Sequence, residues 1–305
     1  MMSGRTRPRV LQFGTIGQLG LEMIRLAEPG GIDLVPVTLD EADFTAPDSV
    51  TRALARAEDI DAAVNAAAYT AVDKAESQEA LATTINAHTV GVLARACAAR
   101  GVPLIHISTE YVFDGNKPTA YTECDPTNPL NAYGRSKLLG EELVRQALAA
   151  HVIVRTSWVY SRYGANFVKT MLRLGAERDV LKVVADQYGA PTAAADLAQA
   201  LIMIVRRICL QDPGGCYGTF HYTGGGETSW FGFAKEICAK AREWAGTDAE
   251  IIPISASEYK TTAIRPKNSR LDCSKIRRVY GVEQVPWPVA LDRTLDELRS
   301  EARTT

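Results

Sequence analysis

The chain has no apolar run approaching the roughly 18 consecutive residues that a bilayer-spanning helix needs, so no such helix is expected. It also lacks any block of like charge. Its 34 Lys and Arg face 36 Asp and Glu, a formal net charge of −2, which argues against a nucleic-acid or anionic-membrane surface. The six cysteines (Cys97, Cys124, Cys209, Cys216, Cys238, Cys273) contain no CxxC pair and read as reduced cytosolic thiols, not a disulfide framework or zinc site. The four histidines share no metal-ligand spacing, and His106, inside a strand-like run, reads as a satisfied core residue. No repeat or low-complexity tract occurs. The basic start "MMSGRTRPRV" has neither the apolar core nor the cleavage site of a secretory leader and reads as a short disordered lead-in. A cytoplasmic protein is expected.

What is present is alternation. "RVLQF" (9–13) reads as a strand and 17–28 as a helix. A strand (32–39), a helix with Pro47 in its first turn (47–58) and a third strand (61–69) follow. A long helix over about 75–100, closed by Gly101 and Pro103, precedes strands at 103–109 and 151–160, with a helix from about Leu130 between them. Apolar strands alternating with helices predict an α/β fold, a doubly wound parallel (Rossmann) sheet. Past Tyr160 glycine, proline and aromatics rise, which predicts a smaller mixed α/β domain. The expected division is 1–155 with 183–211 for the dinucleotide and 156–182 with 212–305 for the substrate.

Directly after the first strand stands "FGTIGQLG", with Gly14, Gly17 and Gly20 spaced by three. A strand turning into a helix there presents backbone N–H groups, and glycines let a pyrophosphate approach them closely. A glycine-containing helix start with no ligand is the plainer alternative. Asp40 closes the second strand, where a carboxylate accepts from a ribose 2′-OH and repels a 2′-phosphate, tilting the site toward NAD(H). Glu41 and Asp43 leave the register open.

"NAYGRSKLLGEE" (131–142) puts Tyr133 and Lys137 four apart, on one helical face. A phenol ordinarily titrates near pH 10, and a neighbouring ammonium would lower that value toward proton exchange with a ketone. Alone the pair is weak. Ser108 and Thr109 end the preceding strand, at the sheet edge where α/β proteins bind ligands, and together these groups suggest ketone reduction.

"NAAAYTAVDKAE", "STEYVFDG", "NPLNAYGRSKLLGEE", "RTSWVY", "NFVKTMLRL", "DQYGAPT" and "RPKNSRLD", with the glycine triplet, resemble an extended short-chain dehydrogenase/reductase. More closely, they resemble the dTDP-4-dehydrorhamnose reductase family, from the first strand to about residue 272. The resemblance implies hydride transfer from NADPH or NADH to C4 of dTDP-4-dehydro-L-rhamnose, with the proton from Tyr133. Lys137 would hold the nicotinamide ribose and acidify Tyr133, and Thr109 would bond the carbonyl. Gly17, Gln18 and Leu19 would line the pyrophosphate, Asp43 and Phe44 would flank the adenosine, and Ala67, Ala68, Tyr69 and Thr70 would pass along the cofactor. Thr109, Glu110 and Trp158 would contact the sugar nucleotide.

Family members commonly carry Asp where Glu110 stands and His where Tyr69 stands. Ala195 replaces a glutamate through which some relatives form metal-bridged dimers, so no metal bridge is expected and the chain is expected as monomer or homodimer. Several residues keep two readings: Trp158 as core or sugar platform, and Asn86 as a solvated helix residue or one that bends its helix and holds a water. Arg265, Lys169 and Arg173 read either as diphosphate ligands or as solvated surface. Another sugar-nucleotide enzyme of this fold, such as an epimerase, remains open. So does a non-catalytic cofactor-binding subunit like the one that associates with methionine adenosyltransferase, although the intact Thr109–Tyr133–Lys137 set argues against it.

Overall fold

The computed structural model describes residues 6–211 and 214–303; the lead-in expected at the N-terminus falls mostly outside them. The first strand, β1 (Arg9–Phe13), is followed by α1 (Gln18–Ala27), β2 (Asp33–Pro36), α2 (Pro47–Arg56) and β3 (Ala62–Asn65). Short helices α3 (Val72–Ala75) and α4 (Glu79–Thr83) lead into α5 (Thr89–Arg100), β4 (Leu104–Thr109), α6 (Ala132–Ala147) and β5 (His151–Thr156). Beyond these lie β6 (Val159–Tyr160), α7 (Phe167–Glu177), β7 (Val180–Val184), β8 (Tyr188–Gly189), β9 (Thr192–Ala193) and α8 (Ala194–Leu210). The rest is β10 (Gly218–His221), β11 (Thr228–Ser229), α9 (Trp230–Ala245), β12 (Glu250–Ile254), α10 (Ser274–Tyr280) and α11 (Trp287–Ala302).

Six strands pair in parallel in the order β10-β5-β4-β3-β1-β2. Successive side chains of a strand point to opposite faces, so each strand feeds two cores. Val10, Val64 and Val154 pack under α1, α8 and α10 with Met23, Leu201 and Ile276. Leu11, Ala63 and Ile153 face the other way, against Leu54, Leu93 and Val144 of α2, α5 and α6. Helices on both faces force the strands to be apolar throughout, which is why they read as unbroken runs. The order reverses at β1, with β2 on one side and β3 on the other. The loops leaving β1 and β3 diverge there and open a crevice at the carboxyl edge.

Three expectations change. The helix foreseen over 75–100 is interrupted: residues Thr84–His88 form a π turn that inserts an extra residue before α5. Asn86 in that turn is fully buried. Its Oδ1 accepts from Tyr69 N at 2.8 Å, and its Nδ2 donates to Tyr69 O at 3.1 Å and to Ser136 Oγ at 2.9 Å, so it is no solvated helix residue. It ties the loop after β3 to α6, and Gly140 lets α6 approach, because a Cβ there would strike the Asn86 carbonyl.

The strand foreseen over 151–160 breaks at Ser157, where the chain leaves the central sheet, and β6 pairs with β9 instead. The expected division of the chain is also crossed. β10 and α10, from the C-terminal stretch, belong with the central sheet, while β7 pairs with β12. A short strand flanked by glycines carries too little apolar pattern to be read beforehand. A separate apolar cluster joins α7, α9 and α11 through Val168, Phe233, Ile237, Leu291 and Leu295. No helix among the described residues is long and apolar enough to cross a membrane.

Candidate active site

A cleft of about 890 Å³ lies along the carboxyl edge of the sheet, lined by the loops after β1, β3, β4 and β5 and by Trp230 of α9. At one end the chain leaves β1 through Gly14, whose φ of +82° suits only glycine. A side chain there would also collide with the Ala67 backbone. Gly20 is a packing glycine: a Cβ on it would strike the Gly14 carbonyl, and its own carbonyl accepts from Gln12 Nε2 at 3.0 Å. Gly17 is different, with open space where its side chain would stand. It caps α1 without any side-chain hydrogen bond, and the first turn carries no acid. The first N–H groups of α1 therefore face the cleft bare, a ready anion site.

Asp43 and Phe44 line the same end. Phe44 packs edge-on against Phe13, with centroids 5.9 Å apart. The Asp43 carboxylate accepts from Thr45 Oγ1 at 2.7 Å and Thr45 N at 2.8 Å, and those bonds hold it below the ordinary carboxylate range. Asp40, expected to face a ribose, is exposed and does not line the cleft. The strand stops at Pro36, and the turn after it, where Glu41 Oε2 accepts from Thr38 N at 2.8 Å, carries Asp40 outward.

Ala67, Ala68 and Thr70 line the middle of the cleft. Tyr69 does not: its hydroxyl donates to Gln78 Oε1 at 2.7 Å, outside.

The helix α6 brings the phenol and the ammonium in. Its N-cap Asn131 accepts from Gly134 N at 2.8 Å and donates to Ile264 O at 2.8 Å. Tyr133 sits edge-to-face on Tyr111 at 5.6 Å and hydrogen-bonds Thr109. The Thr109 hydroxyl donates to Glu110 Oε2 at 2.6 Å. Burial pushes the Glu110 carboxyl up to about 7, against the opposing pull of Thr109 and nearby backbone N–H groups. Lys137 Nζ donates to Ile107 O at 2.6 Å and lies 3.4 Å from His106 Nε2, and burial draws it down to about 8 although Glu141 pulls the other way. His106 is buried and bonded to Asn65 at 3.1 Å, the satisfied core residue expected, and burial keeps it well below its usual range.

The sequence suggested a phenol acidified by its cationic neighbour. The structure reverses that expectation, since burial first and the Glu110 charge second raise Tyr133 well above a free phenol. Lys137 spends a proton on the sheet carbonyl instead.

At the far end Trp158 adopts φ +49° and stacks on Trp230, centroids 3.6 Å apart and planes within 13°. Trp158 faces the cleft and is no plain core residue. Trp230 was not singled out from sequence; it follows a glycine-rich tract that carries no motif. Neither was the contact of Gln18 with Asn166, whose Nδ2 donates at 3.0 Å across the mouth. Arg265 does not line the cleft: Asp73 holds it at 2.5 Å and it reaches Tyr111. Lys169 and Arg173 bond Arg162 O and Glu177, a surface arrangement. Among the described residues no cluster of His, Cys, Asp or Glu could hold a metal ion.

A parallel sheet with a bare glycine turn at β1 and a Thr–Tyr–Lys set at its crevice defines the extended short-chain dehydrogenase/reductase class. Residues 8–300 match the family described as RmlD substrate binding domain, and the chain belongs to it. A dTDP-4-dehydrorhamnose reductase from Sinorhizobium fredii is 45% identical over 97% of this chain and 99% of its own length. Among solved structures, the dTDP-4-dehydrorhamnose reductase of Bacillus anthracis in complex with NADP is 38% identical, with TM-score 0.86 over 95% of this chain and 99% of its own. That of Clostridium acetobutylicum is 37% identical, with TM-score 0.88 at the same coverage.

Proposed function

We propose that this chain reduces the C4 ketone of dTDP-4-dehydro-L-rhamnose to the alcohol, giving dTDP-L-rhamnose, with NADPH or NADH as reductant. The observation that carries the reading is the meeting of Thr109, Tyr133 and Lys137 in one cleft with the bare N-terminus of α1. Relatives named for this activity match nearly the whole chain.

The residues fit a dinucleotide. Gly14, Gly17, Gln18 and Leu19 would take the pyrophosphate at the helix start, Asp43 and Phe44 the adenosine, Ala67, Ala68 and Thr70 the middle, and Lys137 the nicotinamide ribose. When bound, the dinucleotide supplies the electron pair that reduces C4. Tyr133 gives its proton to the C4 oxygen as charge develops there, and its raised pKa keeps it protonated at neutral pH, as a general acid must be. Thr109 bonds that oxygen, while Trp158 and Trp230 wall the sugar. Glu110 faces the same space. Arg265 is the least supported of the proposed substrate contacts, because Asp73 already occupies it. No lysine or arginine lines the adenosine end, and Asp43 stands there, which suits NADH at least as well as NADPH.

Purified protein with dTDP-4-dehydro-L-rhamnose is expected to consume NADPH or NADH stoichiometrically and form dTDP-L-rhamnose. An isomeric keto sugar formed without consumption of reduced cofactor would indicate an epimerase. Gly17→Ala separates binding from folding. Its φ of −78° and open surroundings tolerate a methyl, so stability should change by less than about 1 kcal/mol. The methyl stands where the pyrophosphate approaches, so NADPH affinity by calorimetry should fall roughly tenfold or more.

A further inference from the structure

Thr109 has one proton and two lone pairs to distribute. One lone pair takes Tyr111 N–H at 3.2 Å, and the phenol of Tyr133 reaches the same oxygen. The proton points at Glu110 Oε2, 2.6 Å away. An ionised carboxylate has no donor of its own, so at that separation the hydrogen between them can only be threonine's. Thr109 then offers a ketone oxygen nothing but lone pairs, and the Tyr133 proton is drawn toward Thr109 as well.

A neutral carboxyl leaves the Tyr111 bond in place, reverses the one between Thr109 and Glu110, and displaces the one from Tyr133. Its O–H donates to Thr109, occupies the second lone pair, and leaves both the threonine and tyrosine protons free to point into the cleft. Building on the proposed reduction, we propose that the form that turns over carries Glu110 as the neutral acid, which aims Thr109 and Tyr133 at the ketone oxygen.

The surroundings favour that form. Glu110 is 3% exposed and, among the described residues, no ion pair reaches it. Tyr133 and Lys137 face it from α6, and Tyr111 stands beside it, backed by the Arg265–Asp73 pair. Lys137 gives one of its three donors to Ile107 O and forms no ion pair with Glu110. Burial therefore dominates, and the carboxyl gives up its proton only at about pH 7. The sign follows: the neutral fraction, and with it kcat/KM, falls as pH rises through that value.

The test is the pH profile of kcat/KM for wild type and Glu110→Gln, with NADPH saturating. A glutamine amide donates to Thr109 at every pH, so the alkaline limb near pH 7 should disappear, leaving the later limb of Lys137 near 8. Roughly one pH unit above 7 the variant should be faster than wild type by about tenfold. A variant slower at all pH values with an unmoved limb would overturn the proposal, because that is how a carboxylate needed only for sugar contact behaves. Absence of turnover by wild type at every pH would overturn the proposed function, and this inference with it. A second readout is spectroscopic: the infrared difference between wild type and Glu110→Gln should show a carboxylic-acid band persisting to about pH 7, and its absence at pH 6 overturns the proposal.

Discussion

Tyr133→Phe should lower kcat by about 10²- to 10⁴-fold, the range a positioned general acid contributes, with KM and NADPH affinity nearly unchanged. Phenylalanine keeps the edge-to-face contact with Tyr111 and the filled space over α6, removing one hydroxyl and its bond to Thr109. Folding should survive, so the loss is chemical. Steady-state kinetics together with calorimetric NADPH binding would show it. Unchanged turnover in the variant would remove the phenol from the reaction and favour a cofactor-binding protein without this catalysis.

The second large effect lies one turn behind Lys137. Glu141 is fully buried on α6, and Arg155 of β5 clasps it bidentately, Nη2 to Oε2 at 2.7 Å and Nε to Oε1 at 2.8 Å. Burial alone would raise the Glu141 carboxyl. The Arg155 bonds and charge, helped by Ser108 and Arg145, outweigh it and hold the group below the ordinary range. Arg155→Met leaves that carboxylate buried beside a half-exposed Arg145, which should cost about 3–5 kcal/mol. Adding Glu141→Leu removes the stranded charge and should recover most of the loss.

Urea unfolding of both variants would test this, and failure of the double variant to recover would refute the stranded-charge explanation. In wild type, the depressed Glu141 contributes stability above the unfolded pKa, lost as pH falls through its folded value. In Arg155→Met burial, the largest influence, is opposed only by Ser108 and Arg145, so the carboxyl rises and stability should instead increase as pH falls toward mild acid.

The parts of this molecule most legible in its sequence are those set by local pattern. β1, β4 and β5 are covered on both faces and so appear as apolar runs. The glycine turn follows from backbone sterics at Gly14, and the Tyr133–Lys137 spacing from one helical turn. What escaped depends on partners distant in sequence. Pro36 ends β2 early, and that small shift turns Asp40 away and leaves Asp43 lining the cleft. The π turn around Asn86 was open only as one of two readings of that residue, because a single added residue does too little to disturb the apolar periodicity of 75–100. Trp230 reaches the cleft because α9 packs against α7 and α11, and its ring meets Trp158 and Phe167, all distant in sequence. The proton affinity of Tyr133 was reversed because it depends first on how deeply the phenol itself is enclosed and second on the Glu110 charge beside it, both properties of the assembled cleft.

The stacked indoles of Trp158 and Trp230 make the cleft optically self-reporting. Both emit in the band where a reduced nicotinamide absorbs, so the arrival of NADPH would draw energy from them and its oxidation would return it. Of the chain's four tryptophans, only these two line the cleft, so the change in ultraviolet emission would follow each turnover from inside it, with no added dye.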